Sequence, residues 1–274
     1  MPFHLLKKEP IEVGLRRIAH EQIDIAVANF RDDTTPQHRQ VHSLRCRCKK
    51  LRGLLRLTQP LMGYAFLIED QRFRAAAKAL AEHRESDVIA KTIESLGGSY
   101  DQSGTSQTQV SSAAIKQALE MIRTCQGAVD SWPLHVHGFA DLAPGFSRTY
   151  RKCLDAFDRV LREPNDENFH RLRKWAKYHW YQVRILERLN KTEIRKQRKK
   201  LRMLQLALGS AHDLALLQAM LESQNDCDMW LLDRAVDRKK TLYADALTIS
   251  HEIFARSGDE LVADYSRWWV DWAN

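Results

Sequence analysis

The feature that most constrains this chain is a helical pattern of basic residues that occurs twice. Each copy begins with a histidine, at His42 and at His170, and carries basic residues three and seven positions later. An α-helix turns about 100° per residue, so positions 0, 3, 7, 10 and 14 fall within an arc of about 80°. Each copy therefore predicts a helix with its basic side chains on one face and apolar side chains on the other.

The two predicted helices have well-defined faces. The first carries a basic face of His42, Arg45, Lys49, Arg52 and Arg56, and an apolar face of Leu44, Cys48, Leu51, Leu54 and Leu55. The second aligns His170, Arg173, Lys177, Tyr181, Arg184 and Arg188 on one face, opposite Leu172, Ala176, Val183 and Leu186. No stretch alternates with period two for long enough to predict a strand, so the expected fold class is all-α.

Acidic residues are missing from both basic helices. No Asp or Glu occurs between Asp33 and Glu69, or between Glu167 and Glu187. A solvated surface helix usually mixes both signs, because pairs of opposite charge four residues apart each stabilise it by a few tenths of a kcal/mol. Crowding like charges costs about as much. A chain that accepts this cost twice is predicted to meet a polyanion at these helices.

Composition limits the class of protein. The chain has 274 residues, a net charge of +8 and an isoelectric point near 9.3, which favour an anionic partner. No apolar run approaches the length of a membrane span, so no membrane partner is expected. Scattered cysteines and the lack of a signal-peptide pattern predict a cytoplasmic protein with free thiols. No cofactor or metal is expected, because His135-x-His137 alone is a weak metal signal.

The order of predicted helices indicates an internal duplication within a single domain of residues 1–274. The repeats are expected at about 11–132 and 146–272, joined by a connector over 133–145. The first basic helix is expected to start at Thr35–Pro36 and to be interrupted at Gln59–Pro60, and the second to reach about Asn190. A Gly- and Ser-rich loop is expected at 97–104.

Four segments resemble motifs of the CHAD family, the conserved histidine α-helical domain. His42-x-x-Arg45-x-x-x-Lys49-Lys50-Leu51-Arg52 resembles its first motif, and His170-x-x-Arg173-Lys174-x-x-Lys177-x-x-x-Tyr181 its second. Arg84-Glu85-Ser86-Asp87 resembles an Arg-Asp joint, although here the two residues are not adjacent. Leu208-Gly209-Ser210-Ala211-His212-Asp213 resembles a Leu-Gly-x-x-His-Asp element. The resemblance covers about residues 11–272.

The resemblance implies two pseudo-symmetric four-helix-bundle repeats in one compact domain with a basic central groove that binds inorganic polyphosphate. Such a polymer offers only charge and oxygen acceptors, which suits Arg forks and Lys point charges. No triphosphate-tunnel motif is found, so a stand-alone, non-catalytic binding protein is expected, with association with polyphosphate granules as a further expectation. The residues expected to bind are His42, Arg45, Lys49, Lys50, Arg52, Arg56, His170, Arg173, Lys174, Lys177, Tyr181, Arg184 and Arg188.

Two readings stay open for the histidines and two for the function. His42 and His170 either touch the ligand or orient neighbouring arginines. His179 is expected to be buried with its hydrogen bonds satisfied, and His212–Asp213 to tie helices together. A histidine-phosphotransfer domain is one alternative, although Cys46 and Lys174 stand where such domains carry a small residue. A non-specific nucleic-acid module is the other, without a recognition helix or stacking platform to support it.

Overall fold

The structure, a computed structural model, describes residues 3–30, 34–80, 85–99, 111–224 and 228–274. These residues form α-helices with no strand among them, which confirms the all-α prediction. Arg84 and most of the expected loop at 97–104 lie outside the described residues. The helices are α1 (Ile11–Asn29), α2 (Gln37–Met62), α3 (Tyr64–Ala79), α4 (Glu85–Ser95), α5 (Ser112–Ala128), α6 (Phe139–Arg162), α7 (Asp166–Ile185), α8 (Lys191–Glu222), α9 (Met229–Ile253) and α10 (Gly258–Ala273).

The two basic helices, α2 and α7, lie at the centre of the packing. Helix α2 contacts α1, α3, α6 and α7, and α7 also contacts α6 and α8. The predicted apolar faces are confirmed, because all of their side chains are buried. These are Leu44, Cys48, Leu51, Leu54, Leu55, Leu172, Ala176, Val183 and Leu186. Removing this surface from water is the main force that fixes which way the basic faces point.

Helix α2 starts later and ends later than the sequence predicts. It begins at Gln37, with Pro36 as its N-cap residue, and the Pro36 carbonyl accepts hydrogen bonds from the N–H groups of Arg39 and Gln40. The predicted interruption at Gln59–Pro60 is wrong, since the helix continues to Met62. Pro60 lies in the last turn of the helix, where its missing N–H removes a single helical hydrogen bond, the one to the Arg56 carbonyl. The helix ends at Gly63, whose φ of +50° favours glycine.

The expected connector at 133–145 is too long. Helix α6 begins at Phe139, because the Asp141 carboxylate accepts hydrogen bonds from the backbone N–H groups of His137 and Gly138 at 2.7 and 3.2 Å. This cap fixes the first turn, and Phe139 and Phe146 then bury one face of the helix.

Helix α7 is shorter than predicted. Its side-chain cap is Asn165, which accepts a hydrogen bond from the Asn168 N–H. It ends at Ile185, not near Asn190, and the Ile185 carbonyl accepts a hydrogen bond from the N–H of Leu5 at 3.0 Å. Asn190 instead caps α8.

Helices that are consecutive in the chain pack on each other around α2 and α7. Helix α1 packs on α2 and α2 on α3, and α6 likewise packs on α7 and α7 on α8. Helix α5 returns to α1, as α10 returns to α6. Among the described residues, no helix combines the length and apolar character needed to cross a membrane.

Candidate anion-binding site

Helices α2 and α7 are in close contact at Gly53. A Cβ at this glycine would lie 2.9 Å from the Cβ of Tyr181, which is closer than two such atoms normally come. The side-chain amide of Gln182 also donates to the Gly53 carbonyl at 3.4 Å. The absence of a side chain at Gly53 therefore lets the Tyr181 side chain of α7 pack directly against the backbone of α2.

This crossing brings together basic residues that are far apart in sequence. His42, His170 and Lys174 are exposed, and the others are partly exposed. We call the following set the basic surface: His42, Arg45, Lys49, Lys50, His170, Arg173, Lys174, Lys177 and Arg184.

The charges of the basic surface influence each other across the two helices. Burial lowers the pKa of Lys50 to about 8, helped by the nearby charges of Arg47 and Arg184. Burial also lowers the pKa of His170, helped by Arg173 and Lys174 on its own helix and by Lys49 on α2. Such shifts occur where like charges lie close together in a partly dry environment. Charges on α2 therefore act on residues of α7, and charges on α7 act on residues of α2.

Cys46 lies within the basic surface beside His42. Its Sγ is 3.4 Å from His42 Nε2. Burial raises the pKa of the Cys46 thiol, but the hydrogen bond from His42 and the charges of His42, Lys49 and Lys177 outweigh burial and bring it to about 7. A thiol with this pKa is substantially ionised at neutral pH.

The Leu208 to Asp213 element lies on α8, against the start of α7. The His212 and His170 rings are 4.8 Å apart between centroids, and Gln205 donates its side-chain amide to the Arg173 carbonyl at 3.2 Å. A Cβ at Gly209 would come 3.9 Å from Arg173 Nε. These contacts agree with the prediction that the element holds helices together around the second motif.

Arg52 and Arg56 are not the free donors that the sequence predicted. Both guanidinium groups bind the carboxylate of Asp70 on α3, with Arg52 Nε at 2.8 Å and Arg56 Nη1 at 2.6 Å from Asp70 Oδ1. Their side chains are only 18% and 11% exposed, respectively. The stretch without acids, between Asp33 and Glu69, includes α2, whereas Asp70 reaches these arginines from the next helix.

Tyr181 and Arg188 also differ from their predicted positions. Tyr181 is 3% exposed and packs on Gly53, with the ring of Phe3 at 6.0 Å, so it lies beneath the surface. Arg188 follows the end of α7 and is exposed, and its Nε contacts His4 Nε2 at 2.9 Å. Arg188 thus leaves the row because the helix ends at Ile185.

Two further residues shape the site and were not predicted. Arg47 and Lys50 both donate to Gln22 Oε1, at 2.8 and 3.1 Å, so a buried amide of α1 positions two cations. The ring of Phe3 lies 5.1 Å from Lys50 Nζ and 5.1 Å from the guanidinium carbon of Arg184. The one available signal was Gln22, a polar residue on the apolar face of α1.

His179 is buried as predicted, but its ring does not make the hydrogen bonds that were expected. Neither ring nitrogen has a hydrogen-bond partner among the described residues. The ring lies between Phe146 and Tyr150, at 5.1 and 5.2 Å. Burial lowers its pKa to about 3, so it is neutral. Elsewhere in the described parts of the chain, no group of three or more His, Cys, Asp or Glu side chains is placed to hold a metal ion.

Comparison with known proteins gives one match. The family model described as the CHAD domain matches residues 17–222, which include α2, α7, Asp70 and the Leu208 to Asp213 element. No curated protein and no solved structure matches the chain.

Proposed function

Because the chain belongs to the CHAD domain family, whose members are associated with polyphosphate, we propose that it binds inorganic polyphosphate without catalysis, through the basic surface of α2 and α7. The single observation that carries the proposal is the meeting of the two basic helices at Gly53 and Tyr181. A linear polymer of phosphates can then contact donors from both helices at once.

The charges around the site support an anionic ligand. The strongest charges acting on His170 are Arg173, Lys174 and Lys49, and those acting on Lys174 are Arg171, Arg56, Arg52 and Arg74. Like charges this close repel one another, and a bound anion relieves that repulsion. Phosphate oxygens supply that charge, and they accept the N–H donors that Arg and Lys present.

The contacts between α2 and α7 also support the proposed pseudo-symmetric repeats. Lys50 and Arg56 follow His42 by eight and fourteen residues, as Tyr178 and Arg184 follow His170. The Arg56 guanidinium carbon lies 4.0 Å from the centre of the Tyr178 ring, and the charge of Arg184 acts on Lys50. A two-fold axis between the helices converts each of these pairs into the other.

The aromatic side chains near the site do not favour nucleic acid. Trp180 lies on the basic face, but Lys177 Nζ and the Arg184 guanidinium carbon already cover its ring, at 4.5 and 5.0 Å. Single-stranded nucleic acids gain affinity by stacking bases on accessible rings. Polyphosphate needs no such platform.

The test compares long-chain polyphosphate with single-stranded RNA at physiological salt. We expect polyphosphate to bind more tightly, and its affinity to fall steeply with salt because counterions are released. Replacing both lysines near the crossing, Lys49→Glu with Lys177→Glu, abolishes binding with no change in helicity by circular dichroism.

A matched control reverses the same amount of charge elsewhere. Lys196 on α8 and Lys240 on α9 each pair with an acid three residues earlier on their own helix. The double variant Lys196→Glu with Lys240→Glu keeps most of the affinity. Equal affinity for RNA and polyphosphate in the wild-type protein contradicts the proposal.

A further inference from the structure

The Asp70 carboxylate pairs with two arginines, Arg52 and Arg56, at the edge of the basic surface. Asp70 accepts four hydrogen bonds, with Arg52 Nε and Arg56 Nη1 on Oδ1, and with Arg52 Nη2 and Arg56 Nη2 on Oδ2 at 3.2 and 3.1 Å. Its side chain is 17% exposed. Burial raises the pKa of Asp70, but the hydrogen bonds and charges of the two arginines outweigh burial and lower it. The carboxylate is therefore ionised at neutral pH.

The two arginines are held in place by contacts other than Asp70. The guanidinium carbons of Arg56 and Arg52 lie 4.0 and 5.5 Å from the centre of the Tyr178 ring. Arg56 Nη1 also donates to the Arg52 carbonyl at 2.9 Å. Two forked donors are thus already aimed at one point, as a phosphate group requires.

The surroundings of this point are cationic beyond what Asp70 neutralises. Lys174, which belongs to the basic surface, is influenced by Arg52, Arg56, Arg74 and Arg171. One carboxylate against two guanidinium groups leaves a positive charge here, next to the proposed polymer site. A chain of phosphates bound at Lys174 therefore has its next units near the two arginines.

We propose that Arg52 and Arg56 form a second phosphate subsite that Asp70 keeps filled, and that only long phosphate chains displace Asp70 from it. The inference rests on the proposed function. An internal phosphate carries about one negative charge and two free oxygens, so it replaces the carboxylate with equivalent hydrogen bonds.

The selection for length follows from tethering. A long chain that is already held at Lys174 presents its next phosphates at a high effective concentration, which tips a nearly balanced exchange. A short oligophosphate has no such units and competes with Asp70 from bulk solution. The displaced carboxylate finds a partner in Arg74, which is exposed and follows it by four residues on α3.

The experiment measures the affinity for tripolyphosphate and for polyphosphate of many tens of units. In Asp70→Asn, the affinity for tripolyphosphate rises by about tenfold, because two charged donors become available to the short ligand. The affinity for the long chain rises much less, because the wild-type protein already uses both arginines. Asp237→Asn is the matched control, since Asp237 is exposed on α9 and pairs with Lys240.

Two variants that retain Asp70 give an independent test. Arg52→Gln and Arg56→Gln should each weaken long-chain binding and leave tripolyphosphate binding unchanged. These variants test the inference even if Asp70→Asn proves unstable in thermal melts. The inference is overturned if folded Asp70→Asn binds tripolyphosphate with unchanged affinity, or if both arginine variants bind the long chain with unchanged affinity. Either result leaves the proposed function intact. A wild-type protein that binds neither ligand contradicts the proposed function, and the inference with it.

Discussion

Gly53 and Tyr181 each follow a motif histidine by eleven residues, and they pack directly on each other where α2 and α7 cross. The two positions are equivalent in the proposed repeats, so an axis that relates the repeats would pass near this contact. The contact also brings charges of the two helices close together, since Lys49 acts on His170 and Arg184 acts on Lys50. The pairing of a glycine with a large aromatic residue thus links the proposed repeats to the proposed binding site.

Gly53→Ala tests this contact. The added Cβ would lie 2.9 Å from the Cβ of Tyr181, and that atom cannot move without moving its helix. We expect the free energy of unfolding to fall by about 2 kcal/mol, because overpacking outweighs the better helix propensity of Ala. Urea unfolding measures it. Gly127→Ala on α5 is the control, since a Cβ there meets nothing within 4 Å and should stabilise the protein. Equal effects at both glycines would contradict the close crossing.

His179 is expected to make the protein sensitive to mild acid. Its pKa is about 3 in the folded state, against an ordinary value of 6.5, so the unfolded state binds the proton first as pH falls. The stability that comes from keeping His179 neutral is present above pH 6.5 and is lost as the pH falls below that value. Between pH 7 and pH 5 the free energy of unfolding should therefore fall by about 2 kcal/mol. Denaturant unfolding of the wild-type protein and of His179→Phe at both pH values measures this difference.

The His179→Phe variant should lose less stability than the wild-type protein over that range. His38→Gln is the control, because His38 is exposed on α2. An identical loss of stability in the wild-type protein and His179→Phe would show that His179 is not held neutral in the core.

Cys46 is expected to be the most reactive of the described cysteines. Its pKa is about 7, whereas burial raises the pKa of Cys48 to about 12 and also raises those of Cys125 and Cys153. Iodoacetamide at pH 7 should alkylate Cys46 first, because the thiolate is the nucleophile. Peptide mass spectrometry over time identifies the modified residue.

Two comparisons connect this reactivity to the site. His42→Asn slows the alkylation of Cys46, because the hydrogen bond and charge of His42 are lost. Long-chain polyphosphate protects Cys46 by covering the basic surface. Alkylation of Cys46 at the same rate with and without saturating polyphosphate would place the ligand elsewhere.

Lys50 is expected to make polyphosphate binding depend on pH. Its pKa of about 8 means that the free protein loses this charge between pH 7 and 9, whereas a bound anion restores it. Affinity should therefore fall from pH 7 to pH 9, and binding near pH 8.5 should take up protons. Calorimetry in buffers of different ionisation enthalpy measures the uptake. Lys50→Arg keeps its charge, so its affinity for polyphosphate should depend less on pH. If its affinity depends on pH as strongly as that of the wild-type protein, Lys50 is not the cause of the dependence.

The sequence was sufficient to predict what depends on residues close together in the chain. The apolar faces of α2 and α7 follow from helical spacing, and Leu51 and Leu172 are fully buried as expected. The basic faces follow from the same spacing. The CHAD resemblance was likewise identified from short motifs on these helices.

The remaining features depend on contacts between helices, which spacing within one helix does not determine. Asp70 lies on α3 and pairs with Arg52 and Arg56 only because the fold packs α3 beside α2. Helix α7 ends at Ile185 in part because Leu5, far away in sequence, bonds to its last carbonyl. Pro60 does not interrupt α2, because it lies in the last turn, where its missing N–H removes a single hydrogen bond. The helix ends three residues later, at Gly63.

The most direct test of the shared site counts polyphosphate chains. Titration with one defined long-chain polyphosphate, followed by calorimetry, gives the number of chains bound per protein. One surface built by both helices predicts a single chain per protein, with the affinity strongly reduced by Lys49→Glu alone and by Lys177→Glu alone. Two chains per protein in the wild type, with each variant retaining one at unchanged affinity, would mean that α2 and α7 bind separately and would contradict the account.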